Sequence, residues 1–426
     1  MSKAGNEMHD LAKLLFPICR SITGDGVRDS LKIISEHIPI VIKEVPSGTK
    51  VFDWVVPKEW NINDAFVEDK NGKIIIDFKK NNIHVMGYST PIDKWVDLSV
   101  LQNHLHSLPD QPNAIPYVTS YYKENWGFCL SHNDRKKLKD GKYRIYIDST
   151  LKDGSLTYGE YIIPGETEEE IFLSTYICHP SMANNELSGP VVTTFLAKWI
   201  KSKSRRYSYR IIFIPETIGS ITYLSQNLNI IKKNVIAGFN ISCIGDDKGY
   251  SYVASPYEDT YADRIVEHVL DKNYSNYIKY SFLDRGSDER QYCSPGINLP
   301  LVTLCRSKFG AYPEYHTSLD DLSLVTPGGL FGGLNYVRDC LKVIENNYIY
   351  QSRGLCEPQL GKHGLYKSGV KGSSKNTRRM KDLIAYCNGE NDLLWILEKI
   401  NCSFEELLPI INKLMKIGII ERLPLK

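Results

Sequence analysis

The chain lacks two features that would assign it to a special class: an apolar run of membrane-spanning length and a repeat of solenoid period. Its ten cysteines stand singly, without a CxxC pair. Most of them lie in apolar stretches, where a reduced cysteine packs as a small hydrophobic residue. The amino-terminal segment carries mixed charges instead of the apolar core of a signal peptide. These absences predict a cytoplasmic protein without a membrane partner.

An excess of charge of either sign is also missing. Charged residues make up 24% of the chain, and the net charge is only +2. This balance provides no long-range attraction for a nucleic acid, so nucleic acid is not an expected main partner. At 426 residues, the chain is too long for one small core, and two or three domains are expected.

The order of strand and helix patterns predicts three domains. Alternating strands and helices in residues 131–355, preceded by a helix pair in 1–45, predict an α/β domain. Its sheet is expected to be mixed, mostly parallel and covered by helices on both faces. Residues 46–130 alternate apolar and polar positions between turn signals, which predicts an inserted β domain. Residues 356–426 begin with a Gly-, Lys- and Ser-rich linker and continue as three helices and a β-like tail, the outline of a winged helix.

Three loops that follow apolar runs carry the residues best suited to catalysis or metal binding. The run IFLSTYIC leads to His179 and an asparagine-rich loop, and IIFIP leads to Glu216. A third loop, EYHTSLDD, contains His316. Ligands of open α/β sheets bind beyond the carboxyl ends of the strands, so two histidines and a glutamate are expected to converge there. Such a set could hold a metal ion, with Glu216 as the general base for a metal-bound water.

Each of these residues also has an ordinary structural interpretation. A histidine after a strand, such as His179, is often a hydrogen-bonded structural residue. Glu216 precedes a predicted helix, where a carboxylate interacts favourably with the helix dipole. Near His316, the aromatic Tyr315 could form the wall of a pocket, and Asp320 could orient the imidazole.

The order His179, NNELSG, PETIG, GSDERQY and YHTSLD resembles the zinc aminopeptidase fold of the M28 type, which also includes glutaminyl cyclases. The whole chain resembles a bacterial family of aminopeptidase-like proteins with an inserted β domain and a C-terminal winged helix. The phrases LFPICRSITGDGVRDSLKII, FDWVVPKEW, YYKENWGFCLS and YICHPSMANNELSG carry this resemblance nearly from end to end. Members often occur with surface-polysaccharide genes.

The resemblance implies a role for five positions. His179 would be the first zinc ligand and His316 the last, and Asn185 would stand where the peptidases have an aspartate that bridges two metals. Glu216 would be the general base. Asp288 would occupy the acidic position near the substrate amine or the reacting carbonyl.

The departures from the peptidase pattern concern the other metal ligands. Thr217 replaces a second glutamate, Ser242 stands where an aspartate is expected, and Asn185 is an amide, a weaker neutral ligand. Glu186 could supply the missing carboxylate if the loop register differs. One weakly bound zinc ion per chain, held by the two histidines and an oxygen ligand, is therefore the predicted cofactor.

The other domains provide further candidates. Arg290 and Arg306, together with Arg285, could bind a substrate carboxylate in bidentate fashion, although surface solvation explains them equally well. The inserted domain contributes tryptophans that could stack on a sugar or peptide but more often pack in a core: Trp54, Trp60 and Trp95. The linker and the first helix of the winged helix are basic, but its recognition helix opens SFEELLPII with acidic residues. This pattern favours packing or homo-oligomerisation, through the winged helix or the β insertion, over DNA reading.

Two functions of different classes follow. The first is a zinc-dependent, aminopeptidase-like hydrolase that acts on a small peptide or an N-acylated amino compound such as an amino sugar. The second is a ligand-sensing or assembly protein with a degenerate peptidase pocket and a winged helix for protein or nucleic-acid contacts. Retention of Glu216 favours the enzyme, whereas the lost carboxylates favour the binding protein.

Overall fold

The computed structural model describes residues 2–365 and 375–423, which form two compact units. The first unit contains the residues up to Asp263 and Ile278–Asn335, and the second contains Arg264–Tyr277 and the residues from Tyr336 onward. The α-helices in these residues are α1 (Lys3–Leu15), α2 (Asp25–Ser35), α3 (Leu98–Gln102), α4 (His132–Lys136), α5 (Ser188–Lys201), α6 (Ile218–Asn234), α7 (Tyr261–Asn273), α8 (Glu289–Tyr292), α9 (Pro327–Asn346), α10 (Lys375–Tyr386), α11 (Leu393–Ile400) and α12 (Phe404–Lys416).

The strands are β1 (Val41–Pro46), β2 (Lys50–Val51), β3 (Trp54–Val55), β4 (Glu59–Asp69), β5 (Ile74–Asp77), β6 (Ile92–Asp97), β7 (Leu105–His106), β8 (Phe128–Cys129), β9 (Lys142–Lys152), β10 (Ser155–Ile163), β11 (Glu170–Tyr176), β12 (Ser208–Ile214), β13 (Val235–Ile241), β14 (Ser251–Val253), β15 (Ile278–Tyr280), β16 (Leu301–Cys305), β17 (Ile349–Ser352), β18 (Asn388–Asp392) and β19 (Ile420–Leu423). Three short 3₁₀ turns, Asn82–His84, Phe282–Asp284 and Leu360–His363, and one π-helical turn, Ala183–Leu187, complete the regular structure.

An eight-stranded mixed sheet forms the centre of the first unit, in the order β1-β10-β12-β11-β13-β16-β14-β15. Strands β12, β11, β13 and β16 run parallel to one another, while β10 and β14 join them antiparallel. All seven residues of β11 are buried. A strand with this continuous apolar burial is typical of the middle of a sheet that is covered on both faces. The predicted mixed, mostly parallel α/β fold is confirmed.

The amino-terminal helices pack through regularly spaced apolar residues. Helix α1 buries Met8, Leu11, Ala12 and Leu15, which share one face at helical spacing, and the Ser2 hydroxyl caps its amino end. Helix α2 packs beside strand β10 of the large sheet. The helix pair predicted from the sequence is therefore present, and the turn between the two helices holds Arg20 in a fully buried position.

A second, antiparallel sheet in the order β5-β4-β9-β6 has its own apolar core. It includes β9, which lies beyond residue 130. Of the three tryptophans considered above, Trp60 is buried and donates its indole N–H to the Ser89 carbonyl, at 2.9 Å. Trp54 is 40% exposed and Trp95 is 50% exposed, so of the three only Trp60 is part of a buried core, and that core is shared with residues of the large sheet.

The second unit contains a three-stranded sheet, β18-β17-β19, with helices α10 to α12. Strand β17 precedes residue 356. Helix α12 begins with a capping box, in which Ser403 and Glu406 exchange side-chain and backbone hydrogen bonds. Two residues of the basic linker, Lys367 and Lys371, lie outside the described residues. No helix within residues 2–365 and 375–423 combines the length and the apolar character needed to cross a bilayer.

Candidate metal centre and active site

The ends of two neighbouring parallel strands bring His179 and Glu216 together. Tyr176, the last residue of β11, is in register with Ile214, the last residue of β12. The segments that follow both strands therefore leave the sheet at the same edge. His179 Nε2 lies 3.7 Å from Glu216 Oε2, which is the convergence expected from the sequence.

His316 joins this pair from the loop after β16. The ring centroids of His316 and His179 are 5.5 Å apart. His316 Nε2 is buried and has no hydrogen-bond partner among the described residues. Burial, together with the nearby His179, lowers the pKa of His316 to about 3. A neutral imidazole with an unused, buried nitrogen has the lone pair that a metal ligand requires.

Glu186 determines which nitrogen of His179 faces the site. The Glu186 carboxylate lies 2.9 Å from both His179 Nδ1 and the His179 backbone nitrogen. With Nδ1 committed to Glu186, Nε2 is the nitrogen on the side of Glu216. Burial alone would lower the pKa of His179, but Cys178 and Glu186 raise it well above the ordinary value. A metal ion at Nε2 would compete with that proton, so metal affinity should fall in acid.

Asn185 lies in the π-helical turn between His179 and α5. Its backbone N–H donates to Asp320, and its Oδ1 accepts from the Tyr176 hydroxyl at 3.1 Å. Its Nδ2 is buried and lacks a partner within the described residues. A 180° rotation of the amide would let the nitrogen donate to Tyr176 and leave the oxygen free as a ligand.

Glu216 and Asp288 form a pair of carboxyl groups with raised pKa values. Burial is the main cause at Glu216, and His179 partly offsets it. Asp288 is fully buried, and burial followed by repulsion from Glu216 raises its pKa to about 8. Asp288 Oδ1 accepts hydrogen bonds from Thr217 N and Ser220 Oγ, whereas Oδ2 has no partner in the described chain. These surroundings favour the uncharged form of the Asp288 carboxyl, and the raised pKa makes Glu216 a stronger proton acceptor than an exposed carboxylate.

The three predicted substrate-binding residues have different surroundings. Arg290 is exposed and donates to the Thr217 hydroxyl, next to Glu216. The Tyr315 ring stacks on His316 with a centroid distance of 3.9 Å. Arg306 is not brought to this cluster: its guanidinium donates to the Gly249 and Gly329 carbonyls and lies over the Tyr250 ring.

The positions that depart from the peptidase pattern are engaged in hydrogen bonds. The Ser242 hydroxyl pairs with the Tyr176 hydroxyl at 2.6 Å. Asp246 is a carboxylate that follows Ser242 in the chain, but it accepts hydrogen bonds from Asn184 and Ser307 and is used structurally.

Two acidic residues near the histidines make contacts other than those expected. Asp320 accepts the backbone N–H groups of Asn184 and Asn185 and the Tyr312 hydroxyl, so it orients the loop and not the His316 ring. Glu186 does not supply a free carboxylate ligand, because its oxygens are occupied by His179 and by Arg20.

Tyr117, which no pattern in the sequence points to, packs against both histidines. Its ring centroid is 5.3 Å from that of His179 and 5.1 Å from that of His316. The segment 115–121, here called the strap, reaches this place by pairing with the His316 loop. Tyr117 N donates to the His316 carbonyl at 2.8 Å, and Ile115 exchanges hydrogen bonds with Ser318. The string YVTSYY has no spacing relation to either histidine motif, so no local signal could have placed it here.

Comparison with known proteins places this geometry in a family. Residues 9–347 match a family described as a domain of unknown function, DUF4910, and residues 348–422 match a winged helix-turn-helix domain. The chain belongs to the DUF4910 family. A relative from Clostridium acetobutylicum is 48% identical over 409 residues, covering 95% of this chain and 94% of the relative. That protein is provisionally named for polysaccharide biosynthesis and an aminopeptidase-like domain.

Solved structures agree with the predicted fold of this DUF4910 protein. A crystal structure from Clostridium acetobutylicum, provisionally described as a peptidase, has a TM-score of 0.93 and 46% identity, covering 98% of this chain and 96% of that one. A zinc aminopeptidase from Bacillus subtilis has a TM-score of 0.59 and 12% identity, covering 80% and 94%. At that identity the second likeness shows the fold alone. The predicted aminopeptidase-like fold and the C-terminal winged helix are confirmed.

Proposed function

We propose that this protein is a zinc-dependent, aminopeptidase-like hydrolase that cleaves an amide bond of a small peptide or an N-acylated amino compound. One observation carries the proposal: His179 Nε2 lies 3.7 Å from Glu216 Oε2, the His316 ring lies 5.5 Å from the His179 ring, and His316 Nε2 is buried without a hydrogen-bond partner among the described residues. A buried, unused imidazole nitrogen costs free energy unless a ligand satisfies it. The aminopeptidase-like fold supports the same interpretation.

His179, His316 and Asn185 would hold one zinc ion, because two imidazoles and one amide oxygen leave room for water in a tetrahedral site. When bound, zinc would polarise the scissile carbonyl and lower the pKa of a water molecule. Three neutral ligands bind a divalent cation more weakly than the carboxylate-rich sites of two-metal enzymes. One weakly held zinc per chain is therefore proposed.

Glu216 is the proposed general base. Its raised pKa suits it to take a proton from the attacking water and to deliver that proton to the leaving nitrogen. Asp288, whose raised pKa favours the uncharged carboxyl group, would donate a hydrogen bond from that group to the substrate. Arg290 and Tyr315 would contact the substrate beside the histidines. Arg306 is left out of this set, because its guanidinium already binds two backbone carbonyls.

The name of the Clostridium acetobutylicum relative supports one substrate class in particular. An N-acylated amino sugar has an amide bond of the kind that this site would cleave, and polysaccharide synthesis uses such sugars. All ten cysteines are free, which supports action in the reducing cytoplasm.

The metal content of the purified protein tests the proposal. After addition of zinc and removal of the excess, about one zinc per chain is expected, and His179→Ala and His316→Ala should each lose it. The zinc-loaded protein is then assayed with aminoacyl amides, dipeptides and N-acetylated amino sugars. Glu216→Gln should bind zinc but fail to hydrolyse, with a loss of roughly 10²–10⁴-fold in kcat. Absence of zinc from the wild-type protein, or turnover unaffected by Glu216→Gln, would contradict the proposal.

A binding protein is the second candidate, favoured by the hydroxyl and amide side chains at Thr217, Ser242 and Asn185. In that case the pocket would bind the same class of amide without cleaving it. The Glu216→Gln variant separates the two functions. An enzyme loses turnover and keeps its affinity for the substrate, whereas a binding protein shows no turnover in either form and measurable binding in both.

A further inference from the structure

A buried ion pair lies directly behind His179. Arg20 is 1% exposed and Glu186 is fully buried. Arg20 Nε lies 3.1 Å from Glu186 Oε1 and also donates to the His179 carbonyl at 2.9 Å. The other Glu186 oxygen, Oε2, lies 2.9 Å from both His179 N and His179 Nδ1. One carboxylate thus ties the backbone and the ring of His179 to one arginine.

Glu186, His179 and Cys178 also lie close enough together to hold a metal ion, since their ligand atoms are within 4.8 Å of one another. The surroundings argue against that use. Both Glu186 oxygens are already engaged, and the adjacent Arg20 guanidinium repels a cation. The cluster is therefore suited to hold His179 in place and not to bind a second metal.

Arg20 itself is fixed by the amino-terminal helices. Its NH1 donates to the Leu15 carbonyl at 2.8 Å and to the Ser30 hydroxyl at 3.2 Å. Leu15 ends α1 and Ser30 belongs to α2. A guanidinium that is buried away from water needs a carboxylate partner, and among the described residues Arg20 pairs with Glu186. The amino-terminal helices are thereby connected to the imidazole ring through two side chains.

We propose that Arg20 acts through Glu186 as a positioning residue, which fixes the Nδ1–H of His179 and so directs Nε2 into the candidate metal centre. This inference rests on the proposed function, because it assigns His179 as a ligand. Without Arg20, Glu186 would lose its charge partner and its fixed orientation. The His179 ring would then be free to rotate, and metal affinity would fall. The amino-terminal helices thus help to form the site through Arg20.

Three variants test this connection from Arg20 through Glu186 to His179, here called the relay. Glu186→Gln keeps the shape of the side chain but removes its charge, and Arg20→Met removes the guanidinium. Arg210→Met is the matched control, because Arg210 is equally buried and pairs with Glu170 at 2.6 Å inside the sheet. All three should unfold at lower temperature than the wild type, since each leaves a buried group without its partner.

Metal affinity and the imidazole proton distinguish positioning from mere stability. Competition titration with zinc should show about 10–100-fold weaker binding for Glu186→Gln and Arg20→Met, and wild-type affinity for Arg210→Met. In the metal-free wild type, nitrogen-resolved NMR should show a protected Nδ1–H on His179, assigned with His179→Ala and absent in Glu186→Gln. Should Glu186→Gln fail to fold, Arg20→Lys, which keeps the charge but not the Nε geometry, is expected to weaken zinc binding severalfold.

The outcomes separate this inference from the proposed function. A wild-type protein that binds no zinc contradicts the metal centre, yet the Nδ1–H signal in the apo protein still decides the relay. Zinc affinity within twofold of the wild type in the relay variants, or a metal-free wild type without a protected Nδ1–H, overturns the relay. If Arg210→Met and Arg20→Met lose zinc affinity equally, the loss is due to general destabilisation, and the relay is also overturned.

Discussion

Asp288 should destabilise the metal-free protein, and its replacement by asparagine should stabilise it. Its pKa rises from an ordinary value of 3.8 to about 8 in the folded chain. A carboxyl whose folded pKa is raised favours folding fully only below its unfolded pKa. That contribution is lost as the pH rises through the folded pKa. Stability should therefore decline between pH 4 and pH 8.

The slope of the unfolding free energy against pH gives the size of this effect. Each pH unit between the two pKa values costs about 1.4 kcal/mol, so the penalty at pH 7 is about 4 kcal/mol. In Asp288→Asn, the amide oxygen can still accept from Thr217 N and Ser220 Oγ. The new amide nitrogen takes the place of Oδ2, which has no partner among the described residues, and costs about 1–3 kcal/mol. The net gain at pH 7 is then about 1–3 kcal/mol, and it should grow with pH.

Urea unfolding of the wild type and Asp288→Asn with EDTA, at pH 5, 6, 7 and 8, tests this reasoning. EDTA is needed because a bound cation would lower the pKa of nearby carboxyl groups. Asp263→Asn is the matched control: Asp263 is equally buried, but its oxygens accept hydrogen bonds from the backbone and hydroxyl groups of Ser255 and Thr260. That control should destabilise the protein. A free-energy difference between wild type and Asp288→Asn that does not change from pH 5 to pH 8 would refute the argument.

Three further predictions concern residues in other parts of the first unit as well as Tyr117. Arg28 and the Ser155 N–H overcome the effect of burial and lower the pKa of Glu59 to about 2. The stability that the pair of Arg28 and Glu59 contributes should be lost as the pH falls from about 4.5 to 2. Glu59→Gln should cost about 2 kcal/mol at pH 7 in urea unfolding. Arg306→Met should lower the melting temperature but leave zinc affinity and any substrate KM unchanged; a raised KM would restore Arg306 as a substrate contact. Tyr117→Phe should cost about 1 kcal/mol in urea unfolding and keep zinc affinity, whereas Tyr117→Ala should weaken zinc binding in a competition titration, because both rings lose their neighbour.

Local patterns in the sequence are sufficient to predict the fold and to bring His179, Glu216 and His316 into one site. Buried strands leave uninterrupted apolar runs, and parallel strands end at one edge of the sheet, so His179 and Glu216 could be placed together. His316 follows from its motif and its aromatic neighbours. The family resemblance adds Asn185 and Asp288, whose roles stay predictions.

Contacts between distant parts of the chain could not be predicted. Arg20 and Glu186 are 166 residues apart, and neither lies in a pattern that points to the other. Tyr117 reaches the histidines only because the strap pairs with the His316 loop. Asp320 illustrates the opposite error. Its proximity to His316 in the sequence suggested a hydrogen bond between the two, but Asp320 accepts hydrogen bonds from the backbone of Asn184 and Asn185.

Asn185→Asp tests whether this position is a metal ligand. A carboxylate is a better ligand for a divalent cation than an amide oxygen, and the Tyr176 hydroxyl can donate to it as it does to Asn185 now. Zinc affinity should rise at least about tenfold, by analogy with the effect of altering groups around a metal site. Asn184→Asp is the control, because Asn184 donates to Asp246 at 2.9 Å. A second carboxylate there should destabilise the loop without strengthening zinc binding. If Asn185→Asp binds zinc no more tightly than the wild type, Asn185 is not a ligand.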